Sequence, residues 1–208
     1  MTNQAKFWDK IAERYAKSPI ADEAAYQKKL QITREYFNPD SEVLEIGCGT
    51  GSTAILHAPY VKHIRATDIS AKMIAIAQRK LETEKIDNLT FEQAAIDELK
   101  IEEGSIDVVM AHSILHLVDS RDEVIAKAYR LLKPGGVLVS STICIGDSVL
   151  RFLKPIAVFG MFLGFLPLVK VFTAKELESS IINAGFEIDY RWLPGKGKAV
   201  FIVARKTA

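Results

Sequence analysis

Cysteine is scarce in this chain. Cys48 and Cys144 are its two copies, and they form neither a Cys-x-x-Cys pair nor a metal-ligand spacing. That excludes a disulfide scaffold and a cysteine-built metal centre, so no metal is expected and a reduced, cytoplasmic protein is the default. An excess of one charge is also missing: 27 Lys and Arg face 26 Asp and Glu, for a formal net charge of +1. Bulk charge therefore gives no reason to expect nucleic acid as a partner, although net charge conceals local patches. A membrane-spanning run is lacking too. The apolar, uncharged stretch 155–169 has 15 residues, against about 20 for a helix that crosses a bilayer. Pro155, Gly160, Gly164 and Pro167 interrupt it further. At the start of the chain, Lys6, Asp9, Lys10, Glu13 and Arg14 break up the apolar core that a secretory signal would need.

The 208 residues are 49% hydrophobic and 25% charged, a composition that supports one globular domain with a substantial core. Apolar positions at Phe7, Trp8, Ile11, Ala12 and Tyr15 predict a helix over 4–17, and a second helix is predicted over 22–37, stopped by Pro39. Both precede the first strand, so residues 1–40 read as a helical flank or lid. Strand patterns follow at 43–46, 63–67, 89–93, 106–111 and 136–142. Helix patterns lie between them at 52–57, 71–84 and 121–132, with Ser70 as an N-cap. Such alternation argues for a parallel sheet with helices on both faces. After a helix at 174–184, capped by Thr173 and stopped by Gly185, two runs at 186–193 and 198–205 read as an antiparallel hairpin.

One motif carries most of the chemistry. Val43-Leu44-Glu45-Ile46-Gly47-Cys48-Gly49-Thr50-Gly51 is a buried strand running into a glycine turn that opens a helix, and Asp68 closes the next apolar run. A strand, a tight turn and an acid at the end of the following strand make a pocket for a nucleoside cofactor. Glycine lets backbone approach a ligand closely, and a carboxylate can accept from both hydroxyls of a ribose.

Further along, Asp107-Val108-Val109-Met110-Ala111, then His112-Ser113-Ile114-Leu115-His116, then Leu132-Lys133-Pro134-Gly135-Gly136 recur in a familiar order. With the opening Phe7-Trp8-Asp9-Lys10-Ile11-Ala12-Glu13-Arg14-Tyr15, the chain resembles the class I S-adenosylmethionine-dependent methyltransferases of the small-molecule type, including those of ubiquinone and menaquinone biosynthesis. The likeness is close over 41–142 and looser over the last hairpin. It implies a Rossmann-like α/β fold: a seven-stranded, mostly parallel sheet with helices on both faces and a C-terminal antiparallel hairpin. It also implies S-adenosylmethionine as cofactor, S-adenosylhomocysteine as product, and methyl transfer to a small acceptor.

In that reading the cofactor-binding residues are Tyr15, Glu45, Gly47, Cys48, Gly49, Gly51, Asp68, Ile69, Ala95, Ile96 and His112. The resemblance places Glu45 near the cofactor's amino group; as a residue it could equally be an acid that ties down the loop. Gly47 and Gly49 hold the turn, Gly51 allows close packing into the helix, and Cys48 suits a tight space. Ile69 and Ile96, with Ala95, form apolar walls for the adenine. The family's acid for the adenine amine is absent, since Ala94 stands there; Asp97 is its nearest substitute. Tyr15 either closes over the methionine end or packs. His112 and His116 are the candidate catalytic residues. A neutral His112 could act as general base, or serve as a cap; the family's histidine at the position of His116 often packs beneath the substrate pocket.

Residues 145–172 form a hydrophobic insertion where the family commonly places a substrate lid. Phe152, Phe159, Met161, Phe162 and Phe165 are its candidate lining, and they point to an acceptor that is apolar or aromatic in part. Alternatively, 149–172 meets a membrane surface or a second subunit, with Arg151, Lys154 and Lys170 beside it. Two rival functions remain. A nicotinamide-dependent oxidoreductase uses a similar turn, but with glycine where Ser52 stands. A non-catalytic cofactor-binding or scaffold protein would keep the pocket without transfer.

Overall fold

The computed structural model describes residues 3–148, 168–195 and 197–207. Seven strands form one sheet: β1 Glu42–Ile46, β2 His63–Asp68, β3 Leu89–Gln93, β4 Ile106–His112, β5 Leu132–Thr142, β6 Phe186–Trp192 and β7 Val200–Lys206. Their order is β3-β2-β1-β4-β5-β7-β6. Strands β1 to β5 pair in parallel, and β7 runs antiparallel between β5 and β6. The expected Rossmann-like sheet with its reversed terminal hairpin is therefore observed.

Alternation along the strands divides the core between two faces, because successive side chains point to opposite sides. Leu44, Ile46, Val109, Ala111 and Leu138 pack on one face. Helix α5 (Arg121–Leu131) and helix α6 (Ala174–Asn183) cover it through Ile125, Leu177 and Ile181. Val43, Val108, Met110, Val137 and Val139 pack on the other. There they meet α2 (Glu23–Arg34), α3 (Ser52–His57) and α4 (Ala71–Glu84) through Ile32, Ala54, Ile74 and Ala77. From β1 the chain winds outward through β2 and β3, then crosses back to β4. The carboxyl ends of β1 and β4 thus flank the point where winding reverses, where open α/β sheets hold ligands.

The opening helix α1 (Asn3–Lys17) lies on α4, with Ala12 against Met73 and Ile76 and with Trp8 and Ala16 at the margin. Ser70 caps α4 by accepting from the Met73 amide, as expected. Asp9 of α1 reinforces that end: its Oδ1 accepts from Ser70 Oγ at 2.6 Å and from the Lys72 amide at 3.0 Å. Removing it leaves a helix terminus with one acceptor fewer. Asp9→Ala should cost about 1 kcal/mol, read as a lower urea midpoint with an unchanged slope.

Two boundaries differ from the sequence expectation by three residues or more, the others by two at most. Helix α2 ends at Arg34 rather than 37, because the amides of Glu35, Tyr36 and Phe37 turn back to carbonyls three residues earlier. Strand β5 begins at Leu132 rather than at 136. Its pairing jumps from Ile106↔Leu132 to Val108↔Val137, so the intervening residues bulge outward and Gly135 takes a φ of +79°. Lys133 Nζ then reaches both oxygens of Asp107, at 2.8 and 2.9 Å.

The stretch 149–167, with the five candidate lid residues, lies outside the described residues. Its flanks are held: the Gly146 amide donates to Phe172 O at 2.9 Å, and the Lys170 amide to His116 O at 2.8 Å. Phe172 is buried in the core under the Arg121 guanidinium, 4.4 Å from the ring centre. Among the described residues, no helix is long and apolar enough to cross a membrane.

Candidate cofactor and acceptor site

The turn after β1 is built on left-handed backbone. Gly51, with φ at +77°, leads into α3; a Cβ there would sit 2.4 Å from the Phe91 ring and 2.8 Å from Ala77. Only glycine lets the turn press onto β3 and α4 this closely. A Cβ on Gly49 would meet only Tyr15, at 3.8 Å. Backbone at Gly49 therefore faces open space, as a ligand cradle requires.

Asp68 fixes this turn from β2. Its Oδ2 accepts from the Gly49 amide and its Oδ1 from the Ser70 amide, both at 2.9 Å. The Cys48 amide donates to Thr67 O at 2.9 Å. Burial raises the Asp68 pKa, and the two amides work against that rise. Each carboxylate oxygen has a second lone pair, so Asp68 keeps capacity for further donors. On the opposite side, Lys80 Nζ ties down Thr50 O, Thr50 Oγ1 and Ser52 Oγ at 2.9–3.0 Å.

Glu45 is 2% exposed, and its Oε2 has no hydrogen-bond partner. Burial, and after it the charge of Asp68, push its pKa up to about 8. A buried carboxyl oxygen without a donor is costly, and this one lines a cavity. Glu45, Gly47, Cys48 and Gly49 form one wall and Tyr15 of α1 borders it. Tyr26, Lys29, Leu30 and Thr33 of α2 form the roof, with Thr53 of α3 alongside. His112, Ser113 and Ser141 close the far side.

Six of the residues singled out in the sequence thus meet in one cavity: Tyr15, Glu45, Gly47, Cys48, Gly49 and His112. Gly51 packs beneath it, and Asp68 stands behind Gly49. Ile69 and Ala95 are half-buried at the ends of β2 and β3; there the Ala94 amide donates to Asp68 O, and Gln93 Nε2 to Ile69 O. Ile96 packs into the core with Leu44 and Ile46. Asp97 is exposed, and its carbonyl accepts from Lys127 Nζ. His116 is buried outside the cavity lining with Nδ1 unpartnered, and burial pushes its pKa down to about 4. His112 stacks on Phe201 with the ring planes 8° apart. Burial first and Lys29 second push its pKa down to about 4, so its ring is neutral at pH 7.

Sequence reasoning missed Tyr26, Lys29, Leu30, Thr33, Thr53 and Ser141. A signal existed for four of them: Tyr26, Lys29, Leu30 and Thr33 stand at i, i+3, i+4 and i+7, the inward stripe of a helix. Among the described residues, no group of three or more His, Cys, Asp or Glu could hold a metal ion.

This strand order, with the glycine turn after β1 and the acid ending β2, is the Rossmann-like α/β architecture that the resemblance to class I S-adenosylmethionine-dependent methyltransferases implied. Residues 43–136 match the family model described as a methyltransferase domain. The chain is 32% identical over 142 residues to malonyl-[acyl-carrier protein] O-methyltransferase of Priestia megaterium, covering 67% of this chain and 48% of that protein. It is 28% identical over 182 residues to demethylmenaquinone methyltransferase of Symbiobacterium thermophilum, covering 82% and 69%. The chain thus spans about half the length of the first relative. Geranyl diphosphate C-methyltransferase from Streptomyces coelicolor, crystallised with Mg2+, geranyl diphosphate and S-adenosyl-L-homocysteine, superposes with a TM-score of 0.72 at 15% identity. That superposition covers 89% of this chain and 79% of the other.

Proposed function

We propose that this protein transfers a methyl group from S-adenosylmethionine to a small, partly apolar acceptor, releasing S-adenosylhomocysteine. The observation that carries the reading is the buried, unpartnered Oε2 of Glu45 beside an open glycine cradle. It calls for a cationic donor, and the cofactor's ammonium is one. Glu45 would hold that ammonium, the turn backbone would lie against the methionine carboxylate region, and Asp68 would take the ribose hydroxyls. Ile69, Ala95 and the margin of Ile96 would flank the adenine. Tyr15, against Gly49, would cover the methionine end.

When bound, S-adenosylmethionine supplies a methyl group already activated by its sulfonium. The chain's own work is then to orient the acceptor, exclude water and place charge. His112 can accept a hydrogen bond from an acceptor hydroxyl at a ring nitrogen. With a pKa near 4 it is a weak base, so positioning outweighs proton abstraction. His116, off the cavity, serves as packing beneath it. The apolar acceptor rests on the composition of 149–172 and on the prenyl and quinone-type compounds for which related proteins are named. A membrane or subunit contact through 149–172 is the alternative use of that stretch. The two cysteines, both free and buried, are in keeping with a cytoplasmic setting.

The antiparallel β7 between β5 and β6 favours methyl transfer over a nicotinamide oxidoreductase. The weak basicity of His112 is what a non-catalytic binding protein would also show, and turnover against lipids, quinols, aromatic amines and thiols separates the two. The cofactor claim is tested by calorimetry with S-adenosylhomocysteine. Asp68→Asn should lose about 1.5–3 kcal/mol of binding, the worth of hydrogen bonds to a charged acceptor. Equal affinity for variant and wild type would remove Asp68 from the ribose.

A further inference from the structure

The cavity has two ends of different electrostatic character. At the β1 end stands Glu45, buried, with the half-buried Asp68 behind Gly49. At the β4–β5 end, beside the neutral His112, stands one cation. Lys29 reaches down from α2, and its Nζ donates to Ser141 Oγ at 2.7 Å. Ser141 is paired in register with His112, and the Lys29 charge is felt on the His112 ring. Among the described residues, Lys29 makes no ion pair. Asp22, the N-cap acid whose charge acts on Lys29, is engaged by Lys198 and accepts from the Ala25 amide.

The two ends are well separated. Glu45 pairs with Met110 and Met110 with Val139, so Ser141 lies two strands across and two residues further along. At about 4.8 Å per strand and about 3.3 Å per residue, that is roughly 10 Å sideways and 6–7 Å toward the open edge. An ammonium seated on Glu45 thus lies well away from Ser141.

A half-buried ammonium held by a neutral hydroxyl is incompletely solvated, and burial already lowers its pKa. An anion with matching geometry is what completes it. Under the methyl-transfer reading, on which this inference rests, Glu45 answers the cofactor's ammonium, and Lys29 at the other end is left to face the acceptor.

We propose that Lys29, positioned by Ser141, binds a carboxylate or like anion on the methyl acceptor, which makes the acceptor a small organic acid. Lys29 is a specificity-determining residue, and the acid group is the handle by which the acceptor is oriented beside His112.

The test uses binding to S-adenosylhomocysteine-saturated protein, measured by calorimetry with two matched pairs of probes: benzoate against benzamide, and decanoate against decanamide. In at least one pair the acid should bind tenfold or more tighter than its amide. Lys29→Gln should erase that preference and Lys29→Arg should keep most of it. Both variants should bind S-adenosylhomocysteine within threefold of wild type. Acids that bind no better than their amides overturn the proposal. So does a Lys29→Gln variant that loses S-adenosylhomocysteine affinity tenfold yet retains the acid preference, since Lys29 would then serve the cofactor's own carboxylate. Wild-type protein that does not bind S-adenosylhomocysteine overturns the methyl-transfer reading, and this inference falls with it.

Discussion

Glu45→Gln should make the ligand-free protein more stable at pH 8 and far weaker in binding S-adenosylhomocysteine. The stability arm follows from the proton. Glu45 titrates at about 8 in the folded chain against an ordinary value of 4.5. Between those values the folded state keeps a proton that the unfolded state has released. Stability therefore falls as pH rises from 4.5 to 8. Glutamine has no proton to lose and is free of that slope. At about 1.4 kcal/mol for each pH unit between the two values, part of it shared with Asp68, the variant should gain up to about 3 kcal/mol at pH 8 and almost nothing at pH 5. Urea unfolding at both pH values reads the difference directly. A gap that is the same at pH 5 and pH 8 would show that Glu45 is not held neutral.

The binding arm has the opposite sign. An ammonium seated on Glu45 needs the carboxylate ionised, so binding below pH 8 must expel the proton. Wild-type affinity should climb with pH between 6 and 8, and calorimetry in buffers of different ionisation enthalpy should detect proton release. Glutamine abolishes both effects and forfeits a buried charge pair, a loss of about 3–5 kcal/mol. A residue that destabilises the empty protein and strengthens binding is a mark of a functional site rather than of the fold.

What could be read in the sequence was what is local. Val43 to Gly51 declares its strand, turn and helix within nine neighbouring residues, and Asp68 ends the next apolar run. The structure joins the two by the hydrogen bond from Gly49 to Asp68. The helix caps at Ser70 and Thr173 were legible for the same reason. The crossing of β4 back beside β1 was not local. The resemblance implied the seven-stranded, mostly parallel sheet and its terminal hairpin, but not the strand order that sets β4 beside β1 and the hairpin beside β5. Lys29 stayed hidden because a lysine on an amphipathic helix is ordinarily solvated. Only Ser141, brought from 112 residues away by β5, shows that this one points inward. Ile96, read as an apolar wall for the adenine, also packs into the core with Leu44 and Ile46, a partnership that no local pattern announces. The bulge at 132–136 was hidden because a glycine pair reads as a turn, whether or not a neighbouring strand takes up the slack.

Acid should unfold the protein at unusually mild pH, and His57 is the main reason. It lies in α3 with 0% exposure, and neither ring nitrogen has a hydrogen-bond partner. Its ring stands edge-on to Phe37 with centres 5.0 Å apart. Burial, then the charges of His112 and Arg34, push its pKa down to about 3 from an ordinary 6.5. Below pH 6.5 the unfolded chain takes up a proton that the folded chain refuses. The stability held by the neutral ring is complete above that value and drains away as pH falls toward 3. The whole difference corresponds to about 4–5 kcal/mol, a large share of the roughly 5–15 kcal/mol typical of a domain. His112 and His116, both pushed down to about 4, act in the same direction. His57→Leu should remove one proton from the acid limb and two unmet polar atoms from the core. Its stability advantage over wild type should be small at pH 7.5 and widen steadily by pH 5, in urea titrations at matched salt. If the advantage stays constant across that range, the ring is already satisfied in solution, and acid lability must come from elsewhere in the chain. The widening slope, close to about 1.4 kcal/mol per pH unit below 6, would instead identify one proton and one residue.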